Sequence, residues 1–219
     1  ENLDDEESVE IAAELIMGGS DEVETEFSYF QDAMLARNVN SRFDDGQTPL
    51  HLAAIYGHNA IAKYLLENNA DTSVQDSSGA TPLHEAVRYG NVEIAKALLN
   101  SGANVNARDN LGKTPLMLIL PKDKTAEIYK LLITYRADLC QKDMFGDTVL
   151  HTASMINVGA STFSVLINGG ADVDARNKEG VTPLAIAVQK NDFETVKLLT
   201  AAGADIHTQD TNGNSPLSI

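Results

Sequence analysis

The sequence predicts an all-α dominated repeat solenoid built from stacked helix–turn–helix units. Three observations predict it. The tetrapeptide Thr-Pro-Leu-His stands at Thr48–His51 and again at Thr81–His84, 33 residues later. Degraded copies follow at Thr114–Met117, Thr148–His151, Thr182–Ala185 and Ser215–Ser218. Two residues ahead of each copy stands a glycine, Gly46, Gly79, Gly112, Gly146, Gly180 and Gly213, at spacings of 33, 33, 34, 34 and 33. A fixed period of this length means one supersecondary unit copied and stacked.

Residues 1–41 lack the tetrapeptide. Val9, Ile11, Ala12, Leu15 and Ile16 predict an amphipathic helix ended by Gly18-Gly19. Ser20 reads as an N-cap with acids in the first turn behind it, where the helix dipole favours them. Phe27, Phe30 and Met34 then fall at i, i+3 and i+7. Arg37-Asn38-Val39-Asn40 has the form of Ala103-Asn104-Val105-Asn106, the end of a repeat. The segment is read as a divergent acidic cap repeat, and residues 42–219 as an array of about five full units and a truncated sixth.

In the second full unit, Thr81 caps a helix with Pro82 at its first position, where a missing N–H costs nothing. Leu83, Ala86 and Val87 follow at helical spacing, and Gly90 ends the helix in a left-handed conformation. Ile94, Leu98 and Leu99 make the apolar stripe of the second helix. Gly102-Ala103-Asn104 closes it, and Asp109-Asn110-Leu111-Gly112 supplies turn residues. Ala53, Ala86, Ala153 and Ala187 share one position and let neighbouring first helices approach closely. Two units depart. In the third, Pro121 is expected to end the first helix early. The fourth has Val149 for Pro and carries Asn157–Ser161 between its helices, so a local change of stacking is expected around residues 119–161. The sixth stops at Ile219 inside its first helix, and Glu1 is not an initiator Met, so the chain is expected to be part of a longer one.

The unit Asp-x-x-Gly-x-Thr-Pro-Leu-His-x-Ala, followed by two helices and Gly-Ala-Asp, closely resembles the ankyrin repeat. The resemblance implies a β-hairpin finger ahead of each helix pair. It implies that His51, His84 and His151 are structural, bonding nearby backbone and the motif threonine. It marks Asn40 and Asn106 as positions where eukaryotic members can be hydroxylated. It also places the variable, exposed positions on a concave face made of fingers and first helices. Carried onto this chain, the finger positions are Asp44, Asp45, Ser77, Ser78, Asn110, Leu111, Lys113, Met144, Phe145, Asp147, Lys178, Glu179 and Val181. The first-helix positions are Ile55, Tyr56, Arg88, Tyr89, Pro121, Lys122, Met155, Ile156, Gln189 and Lys190. The partner-binding residues nominated from these are Ile55, Tyr56, Arg88, Tyr89, Leu111, Lys113, Met144, Phe145, Met155 and Ile156, because several are apolar where exposure is expected and Tyr and Arg anchor interfaces.

The formal charge of −16 is uneven. Residues 1–32 hold twelve acids and no Lys or Arg, leaving −4 on the remainder. No basic face is present to displace counterions from phosphates, so nucleic acid is not an expected partner. The acidic N-terminal segment could instead dock a basic one. The longest aliphatic run, Leu116–Leu120, is too short to insert in a membrane. The lone Cys140 excludes an internal disulfide framework and suits a reducing, cytoplasmic compartment; a secreted effector is the alternative setting. It falls where other units carry Asn40, Asn106 or Asp174. No nucleophile elbow, metal-binding His-Glu-x-x-His or phosphate loop occurs, so no catalytic residue, metal or cofactor is nominated. The expected function is a noncatalytic module that binds a protein or peptide. The alternatives are a regulatory or substrate-recruiting domain of a larger enzyme or secreted effector, and a small-ligand or modified-peptide site using Tyr56 and Tyr89 as cation-binding faces.

Overall fold

The computed structural model describes residues 38–119 and 125–218. The helices, cap and acidic patch expected in residues 1–37 lie outside them, as do Pro121 and Lys122. Two compact units divide the chain, one reaching to Asn104 and one starting at Val105, and the division falls at a repeat boundary.

In the first unit, α1 (Pro49–Tyr56) and α2 (Asn59–Glu67) form one helix pair, and α3 (Pro82–Tyr89) and α4 (Val92–Asn100) the next. First helix packs on first helix and second on second. Ala53 and Ala86 are fully buried at the first-helix contact, as their small size requires. Leu65, Ile94, Leu98 and Leu99 fill the layer beneath. Gly90 ends α3 at φ 80°, the left-handed conformation its position calls for.

In the second unit, the third repeat has no α-helical first helix. A 3-10 turn, Pro115–Leu118, stands in its place, and Ile119 is extended at ψ 121°. The helix therefore stops before Pro121, as expected. α5 (Thr125–Thr134) is its second helix. Then come α6 (Val149–Ile156) and α7 (Ala160–Asn168), and α8 (Pro183–Gln189) and α9 (Phe193–Ala201). The fourth repeat's turn is shorter than expected. Ala160 and Ser161 already belong to α7, and Asn157 and Gly159 make the turn at φ 50° and 84°.

The fingers are turns, and no strand forms among the described residues. Each finger closes on itself. Asp76 N–H donates to the Ala80 carbonyl and Gly79 N–H to that of Asp76; the pattern recurs at Asp109, Asp143, Asn177 and Asp210. Neighbouring fingers join at their tips, Ser77 N–H to Asp45 O (2.8 Å) in the first unit and Met144 N–H to Leu111 O (2.8 Å) and Lys178 N–H to Phe145 O (3.0 Å) in the second. Contact at the tips alone does not extend into a ladder, which is why the expected hairpins do not register as strands. The repeated glycine serves this approach. A Cβ on Gly146, at φ 81°, would stand 2.8 Å from Lys178 N.

The histidines are scaffold. His51 Nδ1 accepts from Thr48 N–H (3.1 Å) and lies 2.9 Å from its hydroxyl. Its Nε2 lies 3.1 Å from the Ala80 carbonyl, which can only accept, so Nε2 carries the proton. His151 repeats this with Thr148 and, at 3.0 Å, the Val181 carbonyl; His84 Nδ1 accepts from Thr81 N–H at 3.0 Å. A second staple follows. Asn40 Oδ1 accepts from Asp71 N–H (2.7 Å), Asn106 from Asp138 (2.8 Å) and Asp174 from Asp205 (2.8 Å). Cys140 holds the same place with a thiol.

Two expectations follow. Burial holds His51 and His151 below the usual imidazole range, against the pull of their carbonyl partners. A depressed folded pKa means that the unfolded chain takes up protons first, so stability present above about pH 6.5 should be lost as pH falls below it. Urea midpoints at pH 7.5 and 5.5 should show this loss, and a His51→Gln/His151→Gln variant should show a smaller one. Separately, Cys140→Asn should restore an acceptor for the following repeat and raise the unfolding free energy by about 1 kcal/mol in the same assay.

Candidate functional site

Tyr56 and Tyr89 end α1 and α3, 33 residues apart, so the stacking of first helix on first helix sets them side by side in the array. They are 48% and 43% exposed. The Tyr56 ring stacks on His58 with centroids 6.3 Å apart, which restricts it before any partner arrives. Ile55 and Arg88 occupy the preceding position of the two helices and are partly buried. The first-unit tips beside these helices carry Asp44, Asp45, Ser77 and Ser78, all exposed.

Beneath Arg88 lies an acid that the sequence reading passed over. Glu85 is only 4% exposed, and its Oε1 stands 3.8 Å from Arg88 Nη2, an ion pair without a hydrogen bond. Burial pushes the carboxyl above the usual range, Arg88 pulls it down and Asp76 pushes it up. A buried acid under a half-buried arginine fixes where that guanidinium sits. The signal was present in the repeats, since the positions equivalent to Glu85 in repeats one and five hold Leu52 and Ile186, both buried.

In the second unit the nominated residues form two groups. Leu111, Met144 and Phe145 are exposed at adjoining finger tips, Phe145 by 54%, with Lys113 half-buried next to them. Met155 is exposed and Ile156 half-buried at the end of α6. Asp147 was expected at an exposed tip and is instead buried, its Oδ1 accepting from Asn177 Nδ2 at 2.8 Å. Lys178, Glu179, Gln189 and Lys190 are exposed as expected. Phe193, 74% exposed at the start of α9, was missed. Its equivalents are the exposed Asn59 in the first repeat and the buried Val92 in the second, so the position itself did not settle its exposure. Among the described residues, no three His, Cys, Asp or Glu side chains gather as a metal site, and no helix is long and apolar enough to cross a membrane.

The family model for ankyrin repeats (3 copies) matches residues 6–109 and 116–210. The chain belongs to the ankyrin repeat family. It is 31% identical over 175 residues, 78% of its length, to the NF-kappa-B p105 subunit of Gallus gallus. It is 34% identical over 94 residues, 42% of its length, to an ankyrin repeat protein of Rickettsia bellii. It is 31% identical over 94 residues, again 42%, to the E3 ubiquitin-protein ligase KEG of Arabidopsis thaliana. The matches span 18%, 52% and 6% of those proteins respectively. The ankyrin repeat domain is a noncatalytic interaction fold that binds protein partners.

Replacing Glu85 by Leu, the residue of repeat one, should raise the unfolding free energy at pH 7 by about 1 kcal/mol, because an apolar side chain removes a costly buried charge. The folded pKa of Glu85 is raised, so the wild type gains relative stability as pH falls and the advantage of Glu85→Leu should shrink toward pH 5. Urea denaturation at both pH values measures it. A loss at pH 7 would show that the Arg88 pair outweighs desolvation.

Proposed function

We propose that this array is a protein-interaction module whose partner, a protein or peptide, lies on the finger tips and first-helix ends. One observation carries the reading. Large apolar side chains are exposed at equivalent variable positions of successive repeats, Tyr56 and Tyr89 on helices and Leu111, Met144 and Phe145 on tips, while the motif residues around them are buried. Exposed apolar side chains grouped within one unit, the tyrosines in the first and the three tip residues in the second, mark an interface, and a surface already ordered by its fold loses little entropy on binding. The Glu85–Arg88 pair supports it further, because it keeps an anchor-type side chain in place at a cost in stability.

The module is noncatalytic throughout this span and works in the cytoplasm. Residues 1–41 form its acidic cap repeat and residues 42–219 the array proper. The family match from residue 6, ahead of the first Thr-Pro-Leu-His, supports the cap, and a basic partner segment fits its charge. A second reading places the array as the substrate-recruiting part of a larger enzyme. The similarity to an E3 ubiquitin-protein ligase, of which the match spans 6%, supports it.

The test is selection of binders from a random peptide library displayed on phage, with the whole 219-residue chain as bait. Selected peptides should bind a Tyr56→Ala/Tyr89→Ala or a Met144→Ala/Phe145→Ala variant about tenfold or more weakly by fluorescence anisotropy, with the melting temperature unchanged. Undiminished binding to both variants would place the interface elsewhere.

A further inference from the structure

Resting on the finger-face reading, we propose that the tips of repeats three to five take an acidic peptide segment that carries a large apolar side chain. The apolar part of the site is Leu111, Met144 and Phe145. Backbone bonds from Met144 N–H to Leu111 O and from Lys178 N–H to Phe145 O hold the three tips edge to edge. Exposed methionine beside phenylalanine accepts apolar side chains of varied shape, because the thioether is flexible and polarizable.

The charge around this patch is set by which groups turn inward. Asp109 Oδ1 accepts from Leu111 N–H and Lys113 N–H at 2.9 and 2.8 Å. Asp143 Oδ1 accepts from Phe145 N–H and Asp147 N–H, both at 2.9 Å, and Asp147 accepts from Asn177. Asp143 and Asp147 are buried. Asp109 and Asp143 are thus bound to backbone N–H groups of their own loops, and Asp147 to a side chain of the next finger. Lys142 and Lys178 are exposed and Lys113 half-buried, and Lys142 Nζ donates to the Arg176 carbonyl at 2.8 Å. Glu179 is the exposed carboxylate on these tips. A segment that buries an apolar side chain on Phe145 therefore brings its flanking residues against lysines. Acidic flanks are favoured there and basic flanks repelled. The first-unit tips, with Asp44, Asp45, Ser77 and Ser78, offer no large exposed apolar side chain and carry Arg42 as an exposed cation beside two exposed carboxylates.

The probe is a short synthetic peptide in which Phe and Leu are flanked by Asp and Glu, fluorescently labelled. Its counterpart carries Lys at every acidic position. Anisotropy titration of the full chain should give about tenfold tighter binding to the acidic peptide, weakening as salt is raised. Lys113→Glu/Lys178→Glu should reverse the preference, and Phe145→Ala should weaken the acidic peptide. Lys178→Glu alone, at an exposed tip, serves if the double variant does not fold. Equal or tighter binding of the basic peptide, no binding of the acidic one, or an unchanged affinity in Lys178→Glu overturns the proposal. If library-selected peptides still bind and still depend on Met144 and Phe145, the finger-face reading stands and only the acidic partner falls.

Discussion

The backbone of a finger has no helix or sheet ladder to satisfy it, and this constraint decides most of the repeated motif. A buried N–H or carbonyl left without a partner costs about 1–3 kcal/mol. Each finger here meets that demand with side chains. An Asp or Asn opens the loop and accepts from the N–H groups two and four residues on, at Asp76, Asp109, Asp143, Asn177 and Asp210. The first finger has Phe43 at that place, and Asp45 Oδ1 accepts from Gln47 N–H in partial substitution. The histidine finishes the work by reaching across. From the first helix of one repeat it takes the carbonyl just ahead of the next repeat's threonine, Ala80 from His51 and Val181 from His151. Repeats one and four are thus completed by their successors, the nearest-neighbour coupling on which solenoid stability rests. The atoms used in this way are taken up inside the fold, so the motif is scaffold and the variable positions are the ones offered to a partner.

The third and fourth repeats show what happens when the motif decays. Met117 stands where a histidine would accept from the capping threonine, and the Thr114 hydroxyl is buried without a hydrogen-bond partner. The first helix contracts to a 3-10 turn, which removes side-chain volume from the layer. Two substitutions restore it. Tyr129 and Phe163, both fully buried, occupy the second-helix position that Ala62 and Ala95 hold in repeats one and two. The compensation is apolar only. The Tyr129 hydroxyl has no partner, and burial drives its ionisation far above the ordinary phenol range. Ser154, where repeat two has Val87, is a third buried hydroxyl left unpaired. Among the described residues, repeats one, two and five contribute none; in repeat three polar satisfaction was lost along with the histidine and the regular first helix, whereas Ser154 lies in a helix that keeps His151.

The fold was legible because its determinants are local and recur. The period, the glycine, the Thr-Pro start and the left-handed Gly90 each constrain their own few residues, and repetition multiplies the signal. The site was legible only in part, because burial belongs to neighbours. Asp147 looks like a tip residue until Asn177, 30 positions on, folds over it. Glu85 looks like a solvated helix acid until the apolar Leu52 and Ile186 are set in register with it. Phe193 looks like core until it stands exposed at the start of α9. The tyrosines and the Met144-Phe145 tip were found because at those places the repeat geometry alone fixes exposure.

Charge illustrates the same division between what composition reports and what geometry does. A formal charge of −16 describes a chain that ought to prefer cations everywhere. Twelve of the acids lie in the first 32 residues, where the surface screening length of about 8 Å at physiological salt keeps their field local. In the fingers of the second unit, acids and bases are both present, yet they are not equivalent in position. A carboxylate that must hold two amide N–H groups is drawn into its loop, because the loop cannot close without it. Lys178 is exposed, and Lys142, also exposed, spends one N–H on the Arg176 carbonyl. The demand for backbone satisfaction therefore draws Asp109 and Asp143 into their loops, while Lys142 and Lys178 stay exposed beside the exposed Glu179. Where an Asp opens a finger its carboxylate is engaged by its own loop, and the side chains one, two and four places further on are left to shape the local potential.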